Sequence, residues 1–307
     1  MGWCYPEYGR LHTVLTHSPG RELDLIKPAT YERYLFADAV DAERFRSDHE
    51  RFVEVLRSEG INVVLLAQVL QGQPRLLRSI ERLPNLVYTR DTAAVTQAGF
   101  ILARMSNRVR RAEAEIVEAA LSALKIPMLM KSKAPATLEG GDMIFLDEDT
   151  LLLGVGNRTS KNALEQLIET ATRSSLRRLV SVPLPPSVLH LDGTMMVLDR
   201  DLAVVHSGSL RGTASIFKDG RPTRRVGFLQ FLRTVGMRLI EVTDYERQRR
   251  ATNVIAIGPR KAVGYGGNAR VKRELTNNGV ELIEIEEAEL IRGFGGPRCM
   301  TLPIQRG

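Results

Sequence analysis

The chain has 307 residues, 43% hydrophobic and 26% charged, which is the balance of an ordinary globular protein; no apolar run approaches the roughly 20 residues of a membrane-spanning helix. Its formal net charge of +7 is spread along the chain and aromatics are only 6%, so stacking platforms for nucleic acid are scarce, and short basic runs such as Arg247-Gln248-Arg249-Arg250 read as solvated faces. The two cysteines, Cys4 and Cys299, exclude a disulfide framework and offer no metal-ligand spacing.

The opening MGWCYPEYGR lacks the apolar stretch of a secretory signal. The expectation is therefore a cytoplasmic protein with no membrane or nucleic-acid partner, no metal and no cofactor. Homo-oligomer formation is left open.

In chain order, HTVLTHSPG leads to a helix expected from about Ala42 to Ser58, then a break and the strand in SEGINVVLL. AQVLQGQPRLLRSIERLP separates this unit from the next. LVYTRDTAAVTQAGFILARM holds two strand candidates, followed by a helix around Val109 to Leu124 and a strand in ALKIPMLMK. DMIFLDEDTLLLGVG repeats the pattern with a helix around Asn162 to Thr172 and a strand in SLRRLVSVPL. Pro183-Leu184-Pro185-Pro186 then reads as a loop delivering the chain to His190. TMMVLDRDLAVVHSG precedes a helix around Phe228 to Val235 and the strand in TVGMRLIEVT. NVIAIGPRKAVGYGG precedes a helix around Ala269 to Asn278 and the strand in NNGVELIEIE.

The unit is strand–strand–helix–strand, recurring about every 40 to 65 residues, a period that marks radial or stacked architectures. The terminal CMTLPI supplies the strand that the first copy lacks, which closes the circle. This predicts one closed α/β domain over residues 1–307. A doubly wound sheet is the rival, but no G-x-G-x-x-G follows a strand.

The polar residues that stand out recur near the start of each unit: Asp91 in NLVYTRD, Glu139 and Asp142 in LEGGD, His190 and Asp192 in HLDGT, and Cys299 in GGPRCM. Singly, each has a structural reading as a turn residue, a cap or a satisfied core histidine. In a radial repeat, however, equivalent positions converge near the axis. The resulting pocket would hold a thiol, an imidazole and several carboxylates. A thiol needs a base or positive charge nearby to ionise, and His190 is the natural partner. Carboxylates beside it oppose ionisation unless the substrate is itself a cation, and a planar guanidinium fits them best.

NLVYTRD, LEGGD, HLD and GGPRCM, in this order, resemble the motif set of the guanidine-modifying enzyme superfamily, and especially of arginine deiminases. ELDLIKPATYERYLFADAV, DRDLAVV and VELIEIEEAELIRGFGGPRCMTLPI extend the likeness over nearly the whole chain. The resemblance implies a five-fold pseudosymmetric α/β propeller, the pentein fold. It implies that Cys299 attacks the guanidinium carbon, that Asp91 and Asp192 hold its nitrogens, and that His190 is the acid and then the base, with Glu139 orienting it. Asp142 is expected to support the Gly-Gly loop. Asn85, Arg110 and Arg158 match residues that hold the substrate carboxylate, which favours arginine over agmatine. Cys4 matches no catalytic motif.

There are departures. Phe294 stands where many arginine deiminases have an arginine, Arg298 precedes the cysteine where some have histidine, and the helical insertion of longer members is absent. The expected activity is hydrolysis of L-arginine to citrulline and ammonia. An amidinotransferase or arginine dihydrolase would use the same site, and a silent scaffold on the same frame is the reading from another class.

Overall fold

A computed structural model describes residues 6–171, 174 and 176–307. Cys4 and Thr172, named above, lie outside the described residues.

Five three-strand units recur, each with its first two strands antiparallel and its second and third parallel. The parallel pair needs a crossover, and the helix between the second and third strands provides it. One unit is split across the chain ends: Leu302–Arg306 runs antiparallel to Leu11–Thr16, which pairs in parallel with Asn62–Leu65. First strands of neighbouring units touch, as Leu302–Arg306 meets Ala93–Thr96 and Met195–Asp199 meets Ile255–Gly258. Ala93–Thr96 and Ile255–Gly258 are buried at every position, whereas a third strand such as Met128–Lys131 is exposed at both ends. The first strands thus form the interior and the helices the rim.

Local sequence explains the units. The helix Ala42–Ser58 begins where Asp41 accepts hydrogen bonds from the amides of Glu43 and Arg44. It buries Phe45, His49, Phe52, Val53 and Leu56, the helical spacing of one face. The break after it is Gly60, at φ 75°, a left-handed conformation that glycine takes without steric cost; Gly236 and Gly279 repeat this in two later units.

Two features depart from the simple repeat. The segment after the first unit folds into short helices, Leu66–Val69 and Pro74–Ile80. A hairpin, Thr213–Lys218 and Arg221–Gly227, is inserted before the helix Phe228–Thr234. It pairs not with its own unit but with Arg178–Pro183 of the preceding one, making a five-strand sheet.

Candidate active site

Tight 3-10 turns open three of the units, at Thr89–Thr92, Gly140–Asp142 and Leu191–Gly193, each running into the buried first strand. Asp91, Glu139, Asp142, His190 and Asp192 lie on or directly before these turns. The turn carrying Cys299 plays this part before Leu302–Arg306. A cavity of about 490 Å³ lies where they converge, and Asn85, Asp91, Arg110, Arg158, His190, Asp192 and Cys299 all line it. Glu139 is fully buried just behind His190.

His190 Nε2 is 2.8 Å from Glu139 Oε2, and His190 Nδ1 is 3.7 Å from Asp91 Oδ1. The other Glu139 oxygen accepts hydrogen bonds from the amide and hydroxyl of Ser106, each at 2.9 Å. Burial disfavours a charged imidazole, but Asp91, the hydrogen bond to Glu139, and Asp142 outweigh it and push its pKa up to about 10. Burial equally opposes charge on Glu139, yet the bond to His190 holds its carboxyl well below the usual range. The pair is therefore an ionised carboxylate and an imidazolium at neutral pH.

Asp142 is buried and its Oδ1 accepts the amide of Leu191 at 2.9 Å, tying the Gly-Gly turn to the His190 segment; burial pushes its pKa up to about 7. Glycine at 141 is required by this closeness. A Cβ there would lie 2.7 Å from His190 Cγ and 3.0 Å from Asp91 Oδ1.

Cys299, 7% exposed, does not hydrogen-bond to His190. Its Sγ lies 3.1 Å from Asn253 Nδ2 and 3.6 Å from Asp192 Oδ2. The imidazole–thiol partnership expected from residue types is thus absent, because the His190 nitrogens face carboxylates instead. Burial, then Asp192 and Asp91, push the thiol well above its ordinary pKa. Arg298, wholly buried behind the thiol, pairs with Asp192 at 2.9 Å and with Glu7 at 2.8 Å. Gly293 and Gly295 of GFGGPRC lie against Tyr88, where a Cβ at Gly295 would approach the ring to 2.2 Å, and Gly296 lies against Asn253.

Arg110 is buried, with its Nη1 on Asp91 Oδ2 at 2.7 Å and its Nε and Nη2 on Glu113. Its Nη2 also donates to the carbonyl of Asn85, whose own amide donates to Tyr34 O at 2.7 Å. Arg158 Nη1 is 3.4 Å from Glu139 Oε2. Asp91 Oδ1 is buried without a hydrogen-bond partner.

The ligand atoms of Asp91, Glu139 and His190 lie within 4.8 Å of one another, close enough to share a cation. A metal ion bound there would have to displace the proton that His190 carries.

The arginine deiminase family model matches residues 75–306, a span holding every one of these cavity residues. The chain belongs to the arginine deiminase family. It is 25% identical to arginine deiminase 1 of Staphylococcus epidermidis and 26% identical to the arginine deiminase of Listeria innocua, each match covering 98% of this chain and 97% of the relative. Among solved structures it resembles the dimethylarginine dimethylaminohydrolase of Pseudomonas aeruginosa complexed with citrulline, at TM-score 0.72 and 20% identity over 95% of this chain and 99% of that one. It also resembles the substrate-bound N-terminal domain of ArgZ, a cyanobacterial arginine dihydrolase, at TM-score 0.75 and 16% identity over 96% and 98% of the two chains. These likenesses show the pentein fold, and this arginine deiminase family member is a guanidine-modifying enzyme by family and fold.

Two sets of cavity residues escaped the reading of the sequence. Asn253, whose amide holds Cys299 Sγ, opens the unit that begins with Ile255–Gly258, at the repeat position that Asp91, Asp142 and Asp192 occupy in theirs. That equivalence was the available signal. The run Arg247 to Arg250, whose composition reads as a solvated face, instead puts Arg247, Gln248 and Arg250 in the cavity wall. The correction has a geometric cause: the run ends a short helix, Asp244–Gln248, and turns inward at Arg250, whose φ is 58°.

Proposed function

We propose that this family member hydrolyses L-arginine to citrulline and ammonia through a covalent intermediate on Cys299, within one catalytic unit spanning 1–307. The observation that carries this is Asp91 Oδ1, a buried carboxylate oxygen without a hydrogen-bond partner, lining the same cavity as the Asp192 and Cys299 pair. A guanidinium N–H is the donor it lacks.

In the free enzyme the thiol is neutral. A guanidinium between Asp91 and Asp192 offsets the negative charge facing Sγ, so on its binding the thiol releases its proton to solvent and becomes the thiolate that attacks the cation. The new C–S bond puts the guanidinium carbon in a tetrahedral state. His190, already protonated, gives its proton to the departing nitrogen, and ammonia leaves as the C–N bond breaks. The neutral imidazole then takes a proton from water, which adds to the amidino-thioether carbon. The C–S bond breaks as the hydroxyl proton passes to the departing sulfur, so citrulline leaves and the neutral thiol is restored. Glu139 orients the imidazole and stabilises its charge throughout. Asn85, Arg110 and Arg158 are the proposed contacts of the substrate carboxylate, through N–H groups that their protein partners leave free.

The likeness to ArgZ, described as an arginine dihydrolase, favours one second reading, in which hydrolysis continues to ornithine at the same site. An acceptor amine in place of water would make the protein an amidinotransferase. The test is a product assay on L-arginine. Citrulline with one equivalent of ammonia supports the proposal. Ornithine with two equivalents replaces it by the dihydrolase, and no product without an added amine replaces it by the transferase.

A further inference from the structure

A second and much smaller void, of about 10 Å³, lies between the first strands Ala93–Thr96, Met143–Phe145 and Leu302–Arg306. None of the described residues around it lines the Cys299 cavity. Among the described residues its wall is apolar, with Val95, Phe145 and Pro303, except for three charged side chains, Glu7, Arg90 and Arg306.

Arg90 is 5% exposed, and its Nε and Nη2 are buried with no hydrogen-bond partner. Among the described residues no other arginine has two nitrogens in that state. The carboxylate oxygen it faces, Glu7 Oε1, is 3.9 Å from its Nη1, beyond hydrogen-bond reach, and Arg298 Nη2 already holds that oxygen at 2.8 Å. The charges acting most strongly on Arg90 are those of Arg298, Glu7, Arg306 and Asp192. Three buried guanidiniums, Arg90 included, thus meet two buried carboxylates, and positive charge is left over. Burial, and then Arg298, push the Arg90 pKa down to about 9. A buried cation so placed is costly unless an anion meets it. The position is nevertheless fixed. The Arg90 amide donates to the carbonyl of Cys299 at 3.1 Å, and Arg306 Nη1 donates to the carbonyls of Gly9 and Ala256 at 2.7 and 2.8 Å.

We propose that this void binds one monatomic anion, a halide such as chloride, between Arg90 and Arg306, balancing the charge behind the turn Thr89–Thr92. The void has room for about one water-sized particle, too little for a phosphate or carboxylate group. A water needs acceptors as well as donors, and Glu7 is the one acceptor side chain among the described residues of the wall; a halide needs N–H donors alone. Arg90 directly precedes Asp91, so the ion steadies the turn that carries this carboxylate.

Crystals of the native protein grown in sodium bromide, measured above the bromine absorption edge, test occupancy directly. An anomalous peak beside Arg90 Nε and Nη2 is expected; a water there without anomalous signal overturns the assignment. In solution, chloride is exchanged for gluconate at constant ionic strength and thermal unfolding is followed. The native Tm should rise by about 2 °C for each tenfold increase in chloride above its dissociation constant, and that of Arg90→Met should not. Any general effect of the two salts on exposed surface is common to both proteins. A Tm that responds equally in both, or in neither, overturns the site, and a bromide peak with a flat native Tm means an adventitious ion only. Should Arg90→Met not fold, the bromide map and the native chloride response decide.

Discussion

Arg298 Nη1 holds Asp192 Oδ2 at 2.9 Å, and that same oxygen faces Cys299 Sγ at 3.6 Å. The residue before the nucleophile therefore fixes the carboxylate opposite it. Arg298 is itself fixed from behind by Glu7 and by the carbonyl of Met143, both at 2.8 Å. A segment from the start of the chain is thus coupled to the site through one wholly buried guanidinium.

Replacing Arg298 with Met is expected to strand two buried carboxylates. The loss of stability should be about 3–5 kcal/mol, the usual cost of breaking a buried pair from one side. Denaturant unfolding measures it. Activity should fall as well, since Asp192 loses its orientation. A loss within 0.5 kcal/mol would mean that the buried network carries no net weight.

The His190–Glu139 pair should show in the pH dependence of stability. Its folded pKa of about 10 lies above the ordinary 6.5, so the protonated form is favoured by folding. That contribution is fully present below about pH 6.5 and is lost as pH rises through about 10. Native protein minus His190→Gln should therefore show a stability difference that shrinks by about 2–5 kcal/mol between pH 6 and pH 10. A difference that grows over this range would contradict an imidazolium in the folded state.

Gly141→Ala probes placement rather than chemistry. The added methyl would press on the His190 ring and on Asp91, from 2.7 and 3.0 Å. We expect kcat to drop by about 100-fold or more, since even small misplacement of catalytic groups is costly. Circular dichroism should show the fold retained. Near-native kcat would mean that the imidazole has room to move without consequence.

Exhaustive chelation should leave kcat/KM unchanged, because the Asp91, Glu139 and His190 cluster is built around a protonated ring. Activity lost to chelators and restored by a divalent metal would reverse that assignment.

How much of this the sequence revealed depends on where each signal was stored. The unit helices were legible because apolar spacing and Gly60, Gly236 and Gly279 mark their faces and ends. The helix expected from Val109 begins at Arg111 after a 3-10 turn, a boundary that periodicity does not resolve. The inserted hairpin was missed since its second strand, RPTRRVG, is mostly exposed and lacks alternation, although Asp219-Gly220 between its strands carries a hairpin turn signal. The motif residues were legible as a set, and their shared cavity follows from their repeat positions. What spacing does not encode is direction. Whether His190 faces a thiol or two carboxylates, and whether Arg250 points to solvent or inward, depends on backbone angles set by packing between units.

The proposed chemistry stands or falls on a bond between Cys299 and the guanidinium carbon. Rapid acid quenching of the native enzyme during turnover of L-arginine, followed by intact-mass and peptide analysis, tests it most directly. The expected result is a species heavier by arginine less ammonia, mapped to Cys299 and absent from Cys299→Ala. Citrulline formed by a Cys299→Ala protein at rates comparable to the native enzyme, with no adduct on either, would contradict it.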